Sequence, residues 1–561
     1  VKKLEAFVHG RDGFERSGPR VIVLGPPGTG KTKTSLDEFV GPAVQKYGPE
    51  AVLACTFSRS AAQELRQRLA RKLRMPESRL LATCSTIHSE AWRRVRVFSN
   101  EPKLIDPETG KAKLKAGDWE PPEQDRVKHS TLALKAWDFA RITMQTSAEE
   151  MRAIAVRFSK TREAAKQAFR ASDFVAWIES YEKKKLDAGT MDYTDMLVAA
   201  TRLPTRPLKL LLVDEFQDTS RLQWAVVEHW SKQAGEVVLV GDMDQAIHEW
   251  MGASPDLLSG HVTSGEWKPL VLSQSYRVPE SAWLVARHII TRNAARIDAA
   301  YAPKLTKGTT VVVSSVDGWM KHCKDAHNAD KEEGTAAKRV FILARIRKQL
   351  DSYARELKSV GVPYAHEYAG SPWVGNAKRR GAAYAWWCCQ NRSWCDAKSI
   401  RYLMASLPVR GTDWFTGNRK SVEGLVTGGR DDAIRWDSEL LAGFNVAKLR
   451  ESKLGQIIPQ EQATAYHMGI KRVGVQCMHD APAVVLTTMH ASKGREAETV
   501  IISAACSYGI DKREMDAERR VLYVAATRTL DTLVVDISRG EAYTDLLEGV
   551  KAARKVAEVP F

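Results

Sequence analysis

Three short apolar runs, each ending in a different polar turn, constrain this chain more than any other feature. Arg20-Val21-Ile22-Val23-Leu24 leads directly into Gly25-Pro26-Pro27-Gly28-Thr29-Gly30-Lys31-Thr32. Leu208-Lys209-Leu210-Leu211-Leu212-Val213 stops at Asp214-Glu215, and Val237-Val238-Leu239-Val240 stops at Gly241-Asp242-Met243-Asp244-Gln245. Runs this apolar and this short read as strands buried on both faces, as in parallel sheets covered by helices. Side by side, such strands deliver their turns to the C-terminal edge of the sheet, where α/β folds bind ligands. The fold class expected is α/β.

Each turn carries its own chemistry. Gly28, Thr29 and Gly30 let the backbone wrap closely around an anion, and a helix opening at Lys31 and Thr32 points its free amides at phosphate. Lys31 is suited to reach the terminal phosphates, and the Thr32 hydroxyl to bind magnesium. Asp214 would hold the same Mg2+, while Glu215 would orient and deprotonate an attacking water. Gln245 is placed to sense the terminal phosphate and report it to His248-Glu249-Trp250. ATP and Mg2+ are the expected ligands.

The chain has 561 residues, too many for one core, so it should divide into three or four domains. Its 84 basic and 68 acidic side chains give a net charge of +16, which makes nucleic acid the first polyanion to consider. No run reaches the length of a membrane span, and the start Val1-Lys2-Lys3-Leu4-Glu5 has no signal-peptide hydrophobic region. Eight cysteines suggest a reducing interior rather than a disulfide scaffold. Cys388, Cys389 and Cys395 lack a second ligand pair at zinc spacing and read as buried thiols among Trp386, Trp387 and Trp394.

Further motifs extend the pattern. They include Ala54-Cys55-Thr56-Phe57-Ser58-Arg59-Ser60-Ala61-Ala62-Gln63-Glu64-Leu65, Thr86-Ile87-His88-Ser89, Asp214 to Ser220, Gly241 to Ala253, Leu272 to Arg277 and Ile342 to Arg345. Near the C-terminus, Thr487 to Glu496 is followed by Glu518 to Arg528. In order and spacing these motifs make the chain resemble the superfamily 1 DNA helicases of the UvrD/Rep/PcrA type. The last two look like the 3′-to-5′ branch.

The resemblance implies two RecA-like parallel-sheet motor domains, each with a largely helical insertion. The first would use residues 1–88 and 198–268, with 89–197 inserted. The second would use 269–365 and 480–561, with a reduced insertion at 366–479. The first insertion is expected to have a loop-like region from Glu101 to Asp125, helices over Thr131–Thr143 and Ala168–Lys185, and a return segment, Met191 to Leu197. In the second, Lys378-Arg379-Arg380 suits duplex contact, a partner surface or a solvated face.

By resemblance, Tyr276 stacks on adenine, Glu496 lies near the nucleotide sugar, and Arg277 and Arg528 approach the γ-phosphate from the second motor domain. Phe57 and Trp250 stack on single-strand bases, with His88, His248 and His490 along the strand path; stacking tolerates any sequence, as a translocase requires. Several positions depart from the family pattern: His248 stands for a common tyrosine, Met251 for arginine, Arg59 for asparagine and Arg495 for leucine. No glutamine lies between Val1 and Arg20, where the family reads adenine. Either the natural start is missing or adenine selectivity is weaker.

The function expected is an ATP-dependent 3′-to-5′ DNA helicase and single-strand DNA translocase. The alternatives are a partner-dependent translocase that strips proteins from single strands and a catalytically inactive single-strand-binding scaffold. An RNA substrate stays open, whereas the stretch after Arg528 is short for a nuclease domain. Expected partners are single-stranded DNA, its junctions with duplex, and replication, repair or single-strand-binding proteins. A monomer or weak dimer in the cytoplasm (of the host, if viral) completes the expectation.

Overall fold

The computed structural model describes residues 6–7, 20–98, 103–104, 128–147, 149–151, 153–154, 171–204, 206–328, 338–407, 414–415, 433–435, 444–479, 481–505, 515–540 and 543–557. The Glu101–Asp125 region and the glutamine-free start fall outside these, apart from the short pieces at 103–104 and 6–7. Residues 168–170 of the second expected helix do too. By internal contacts the chain forms two units. The first comprises Val1–Tyr276, Asn293–Lys304 and Asp516–Arg520; the second comprises Arg277–Arg292, Leu305–Met515 and Val521–Phe561.

Among the described residues, the main sheet of the first unit has seven strands. They are β1 (Ala6–Phe7), β2 (Arg20–Leu24), β3 (Val52–Thr56), β4 (Cys84–Thr86), β5 (Leu208–Val213), β6 (Ala234–Gly241) and β7 (Lys268–Leu272). They lie in the order β1-β7-β2-β6-β5-β3-β4, and every pair is parallel. Successive residues serve opposite faces, as the two-residue strand period demands. Ile22, Leu24, Leu53, Cys55, Leu211 and Val213 enter one apolar core, and Val21, Val23, Val52, Ala54, Leu210 and Leu212 the other. Because β7 pairs with β2 in register from Val21 with Lys268 to Leu24 with Val271, the first sheet extends past the expected boundary at residue 268. Its buried Leu270-Val271-Leu272 can only be covered inside that sheet.

The helical part of this unit includes Lys128–Thr143, Ala171–Asp187 and the return helix Tyr193–Ala200. Asp192 caps the return helix in a reciprocal box with Asp195. Arg141 donates to Asp192 Oδ2 at 2.7 Å and Asp195 Oδ1 at 2.8 Å, and Lys185 Nζ reaches the same two carboxylates at 2.9 and 2.6 Å. Tyr181 adds a hydroxyl to Asp192. Burial pushes the Asp192 carboxyl up, but Arg141 and then Lys185 outweigh it and hold the group well below the usual carboxylate range. Removing either cation leaves buried carboxylate charge unpaired, a loss on the order of 3–5 kcal/mol.

The second unit has its own parallel sheet of six described strands: β8 (Thr309–Val313), β9 (Val340–Ala344), β10 (Tyr364–His366), β11 (Val484–Thr488), β12 (Ala497–Ser503) and β13 (Thr529–Asp536). Their order is β8-β13-β12-β9-β11-β10. Val340, Ile342, Val484, Leu486, Ile501 and Val534 share one core with Trp373, Cys388, Cys389 and Cys395. Those three cysteines are free and buried, with Trp386 and Trp387 partly buried against the same core and Trp394 exposed. Among the described residues no helix is long and apolar enough to cross a membrane.

Candidate functional site

β2 is buried from Val21 onward and ends in the glycine turn, which closes on itself: Thr29 Oγ1 donates to Pro26 O at 2.8 Å. Gly28 and Gly30 hold φ of 75° and 85°, a region costly for any side chain. Gly25 is needed for space, since a Cβ there would fall 2.1 Å from Lys31 Cγ. Lys31 folds back over the turn and donates to Gly25 O at 2.7 Å. The helix starts at Lys31, with Thr32 half-buried in its first turn. It passes into a π-helical turn over Ser35–Val40, a local widening frequent at functional sites.

β5 and β6 bring their turns to the same edge. Asp214 N donates to Cys55 O at 2.8 Å, which pins the end of β5 beside β3. Glu215 sits at φ 55°, an uncommon conformation for a side chain larger than asparagine, and its amide donates to Asp214 Oδ1 at 3.0 Å. Gln217, fully buried, donates its amide to Glu215 Oε2 and accepts from Asp242 N at 2.9 Å. It thereby ties the β5 turn to the β6 turn. Gly241 leaves room for this, because a Cβ at that position would meet Gln217 Oε1 at 2.7 Å.

At the β6 turn, Asp242 accepts from Gln245 Nε2 at 2.7 Å and from Asp244 N at 3.1 Å. Burial raises the Asp242 carboxyl; Lys31 opposes this and Glu215 adds to it. Asp244 is pushed up to about 7 by burial and then by Asp242, against the Arg296 guanidinium, which reaches it through Nη2 at 2.7 Å and Nε at 3.3 Å. Four carboxylates, one lysine and one arginine therefore meet at one sheet edge. Two further ties come from the segment after β7. Ser275 Oγ donates to Pro27 O at 2.8 Å, and Tyr276 N donates to Gly28 O at 2.9 Å. Tyr276 is thus anchored by its backbone to the glycine turn while its side chain is 55% exposed.

An aromatic face adjoins this edge. Phe57 and His248 stack with ring centroids 5.0 Å apart and planes 13° from parallel. Phe57 and His88 line a small cleft with Asp214, Glu215, Thr219 and Gln223. Burial, and then the Arg59 charge, lower His88 to about 4, so it is a neutral imidazole at ordinary pH. Trp250 projects from a short turn over Glu249–Met251 and is 58% exposed, with Met251 also exposed.

The second unit places the remaining expected residues differently. Arg277 Nε pairs with Glu496 Oε2 at 2.6 Å, so these two meet each other. Arg528 is 1% exposed and donates to Val524 O at 2.8 Å and Thr527 Oγ1 at 3.1 Å. His490 follows β11 in a turn where Met489 N donates to Ala344 O at 2.9 Å. Arg495, in the leucine position, pairs with Glu367 and lies over the Phe341 ring at 4.8 Å.

Residues 11–262 match the UvrD/REP helicase N-terminal domain, and residues 483–535 match the UvrD-like helicase C-terminal domain. The chain belongs to the UvrD-like helicase family. It is 27% identical over 374 residues to a probable DNA helicase II homolog of Mycoplasma pneumoniae, covering 61% of this chain and 51% of the relative. Similarity to the ATP-dependent DNA helicase UvrD2 of Mycobacterium tuberculosis runs over 569 residues at 24% identity, 91% of this chain and 75% of the relative. To the ATP-dependent DNA helicase PcrA of Staphylococcus epidermidis it is 24% identical over 293 residues, 50% of this chain and 39% of the relative. The chain spans about half the length of the Mycoplasma relatives it matches.

In this UvrD-like chain Gln217, Ser275 and Arg520 lie inside the motifs but carry no role that sequence assigns, and Arg296 lies outside every motif. Gln217 had a local signal, two positions after Glu215 in the same turn. Arg296 had none: its partner is 52 positions away in sequence.

Proposed function

We propose that this chain is an ATP-dependent DNA helicase that moves 3′-to-5′ along a single strand and separates duplex ahead of it. The observation that carries the reading is the convergence of the glycine turn, Asp214-Glu215 and Asp242–Gln245 at one edge, with Tyr276 anchored to Gly28. The relatives named as ATP-dependent DNA helicases support it, as does the surplus of basic side chains.

Gly28, Thr29 and Gly30 would cradle the phosphates with Lys31 on the terminal ones, and Tyr276 would cover the adenine. A Mg2+ ion fits the donor set of the Thr32 hydroxyl and the buried Asp214 carboxylate, and when bound it would offset charge on the phosphate oxygens. Glu215, oriented by Gln217, would take a proton from the attacking water as that water's oxygen bonds to the γ-phosphorus and the bond to ADP breaks. Gln245 would sense the terminal phosphate, and Arg277 and Arg528 would stabilise the transferring phosphoryl group once Arg277 leaves Glu496. Phe57 and Trp250 would stack on bases, with His88, His248 and His490 lining the path and a neutral His88 contributing hydrogen bonds rather than charge. Residues 89–197 and 366–479 would serve as the two insertions.

The test compares ATP-driven unwinding of partial duplexes with a 3′ tail, a 5′ tail or none, with Glu215→Gln as control. Unwinding only from the 3′ tail, lost in the variant, is expected. Preference for a 5′ tail overturns the polarity, and strand-stimulated hydrolysis without unwinding favours a translocase that needs a partner.

A further inference from the structure

The segment from Asp242 to Gly252 links the nucleotide edge to Trp250, and it consists largely of two 3₁₀ turns, Met243–Gln245 and Glu249–Met251. Such turns hydrogen-bond poorly within themselves, so their shape depends on outside ties. At the nucleotide end the tie is Arg296 on Asp244. At the Trp250 end it is Arg520, which pairs through Nη1 with Glu249 and donates through Nη2 to Ala295 O at 3.1 Å. Ala295 and Arg296 are neighbours in sequence, so one short stretch holds both ends. That stretch is itself fixed: Asn293 Nδ2 donates to Asp516 O at 2.9 Å and Ala294 N to Asp516 Oδ2 at 3.2 Å. Asp516 lies in the first turn of the helix that bears Arg520.

Every member of this ring lies in the first unit. Arg520 is 4% exposed while the Glu249 side chain is 37% exposed, so the pair is buried on the arginine side and partly screened by water on the other. On the far side of Trp250, Gly252 turns at φ 95° and donates to Glu249 O at 3.0 Å. A Cβ on Gly252 would fall 2.8 Å from Ile142 Cγ2. Trp250 is thus an exposed ring on a turn clamped before and after it.

We infer that Glu249 and Arg520 are positioning residues that set the presentation of Trp250 to the strand, with Arg296 and Asp244 anchoring the nucleotide end of the same segment. This rests on the reading of Trp250 as a strand contact. The charge pair carries no chemistry of its own; it removes the freedom of the turn, so that stacking requires less ordering when the strand arrives.

The experiment measures binding of a fluorescent oligo-dT, together with ATP turnover with and without that strand, for Glu249→Gln, Glu249→Arg, Arg520→Glu, the double swap and Trp250→Ala. Glu249→Arg is expected to raise the half-saturating strand concentration about tenfold, and Glu249→Gln about threefold, with strand-free turnover within about twofold of the parent. The double swap should regain part of the lost affinity, since it restores the charge pair but not the donation to Ala295 O. Loss of strand affinity with strand-free turnover preserved is the readout that a merely structural role would not give. Parent-like strand affinity in both Glu249 variants, or a folded double swap no better than its singles, overturns the inference. If Arg520→Glu fails to fold, the two Glu249 variants decide. Unchanged affinity in Trp250→Ala removes the strand-contact reading itself; loss there with parent-like Glu249 variants removes only the positioning role.

Discussion

At the edge of β2, β5 and β6, four carboxylates crowd around one lysine and one arginine, whereas at the edge of β9, β10 and β11 the acids and bases pair off. Arg495 meets Glu367, which also accepts from Thr487, and Tyr368 shares a hydrogen bond with Thr488 at 2.8 Å. Both edges belong to parallel sheets with helical connections, so the fold alone gives neither its chemistry. The first edge has like charges held in a buried space, raising Asp242 and Asp244, as functional sites do. The second has complementary charges at partial exposure. Two sheets of one design thus carry different charge arrangements at their edges.

The largest effect that tests this contrast is Glu215→Gln, expected to lower ATP turnover about 10³-fold while nucleotide binding persists. Steady-state hydrolysis alongside direct binding measures it; a variant that still turns over normally removes the first edge from the chemistry. Gly241→Ala should force Gln217 off its place, since its Cβ would meet Oε1 at 2.7 Å. A loss of turnover of about tenfold is expected, near 1.4 kcal/mol of barrier, with little change in unfolding midpoint.

His88 gives a pH test at the same edge. Its folded value is lowered from 6.5 to about 4, so between those values the unfolded chain takes up a proton that the folded chain refuses. Stability should therefore fall as pH drops through this window, by about 2–3 kcal/mol, and His88→Gln should flatten that part of the curve in urea titrations. A slope that persists in the variant assigns it to other groups. Glu367→Gln should be the mildest change. Glu367 and Arg495 are both partly exposed, so screening limits the loss to less than about 1 kcal/mol, with ATP turnover unchanged. A fall in turnover comparable to that of Glu215→Gln would erase the distinction between the edges.

Much of the first edge was legible because its signals are local. β2 was read with its observed ends and β5 likewise, and the core of β6 fell within the observed strand. An apolar run followed by glycines or carboxylates encodes both the strand and what its end presents. Ser275 and Arg296 were not legible, since each acts on a partner far along the chain. The place of β7 in the first sheet is illegible for the same kind of reason: Lys268–Leu272 gives no local sign of its hydrogen-bond partner, β2.

The sequence by itself determined the α/β class and the three strands with their polar turns, which follow from periodicity, while the likeness to a helicase family rests on the resemblance of its motifs. Tertiary structure decided how the charges were partnered: Asp244 with Arg296, Glu249 with Arg520, Arg277 with Glu496. A side chain's type travels with the sequence, but its electrostatic state depends on which distant residue the fold brings within about 3 Å and how much water remains between them.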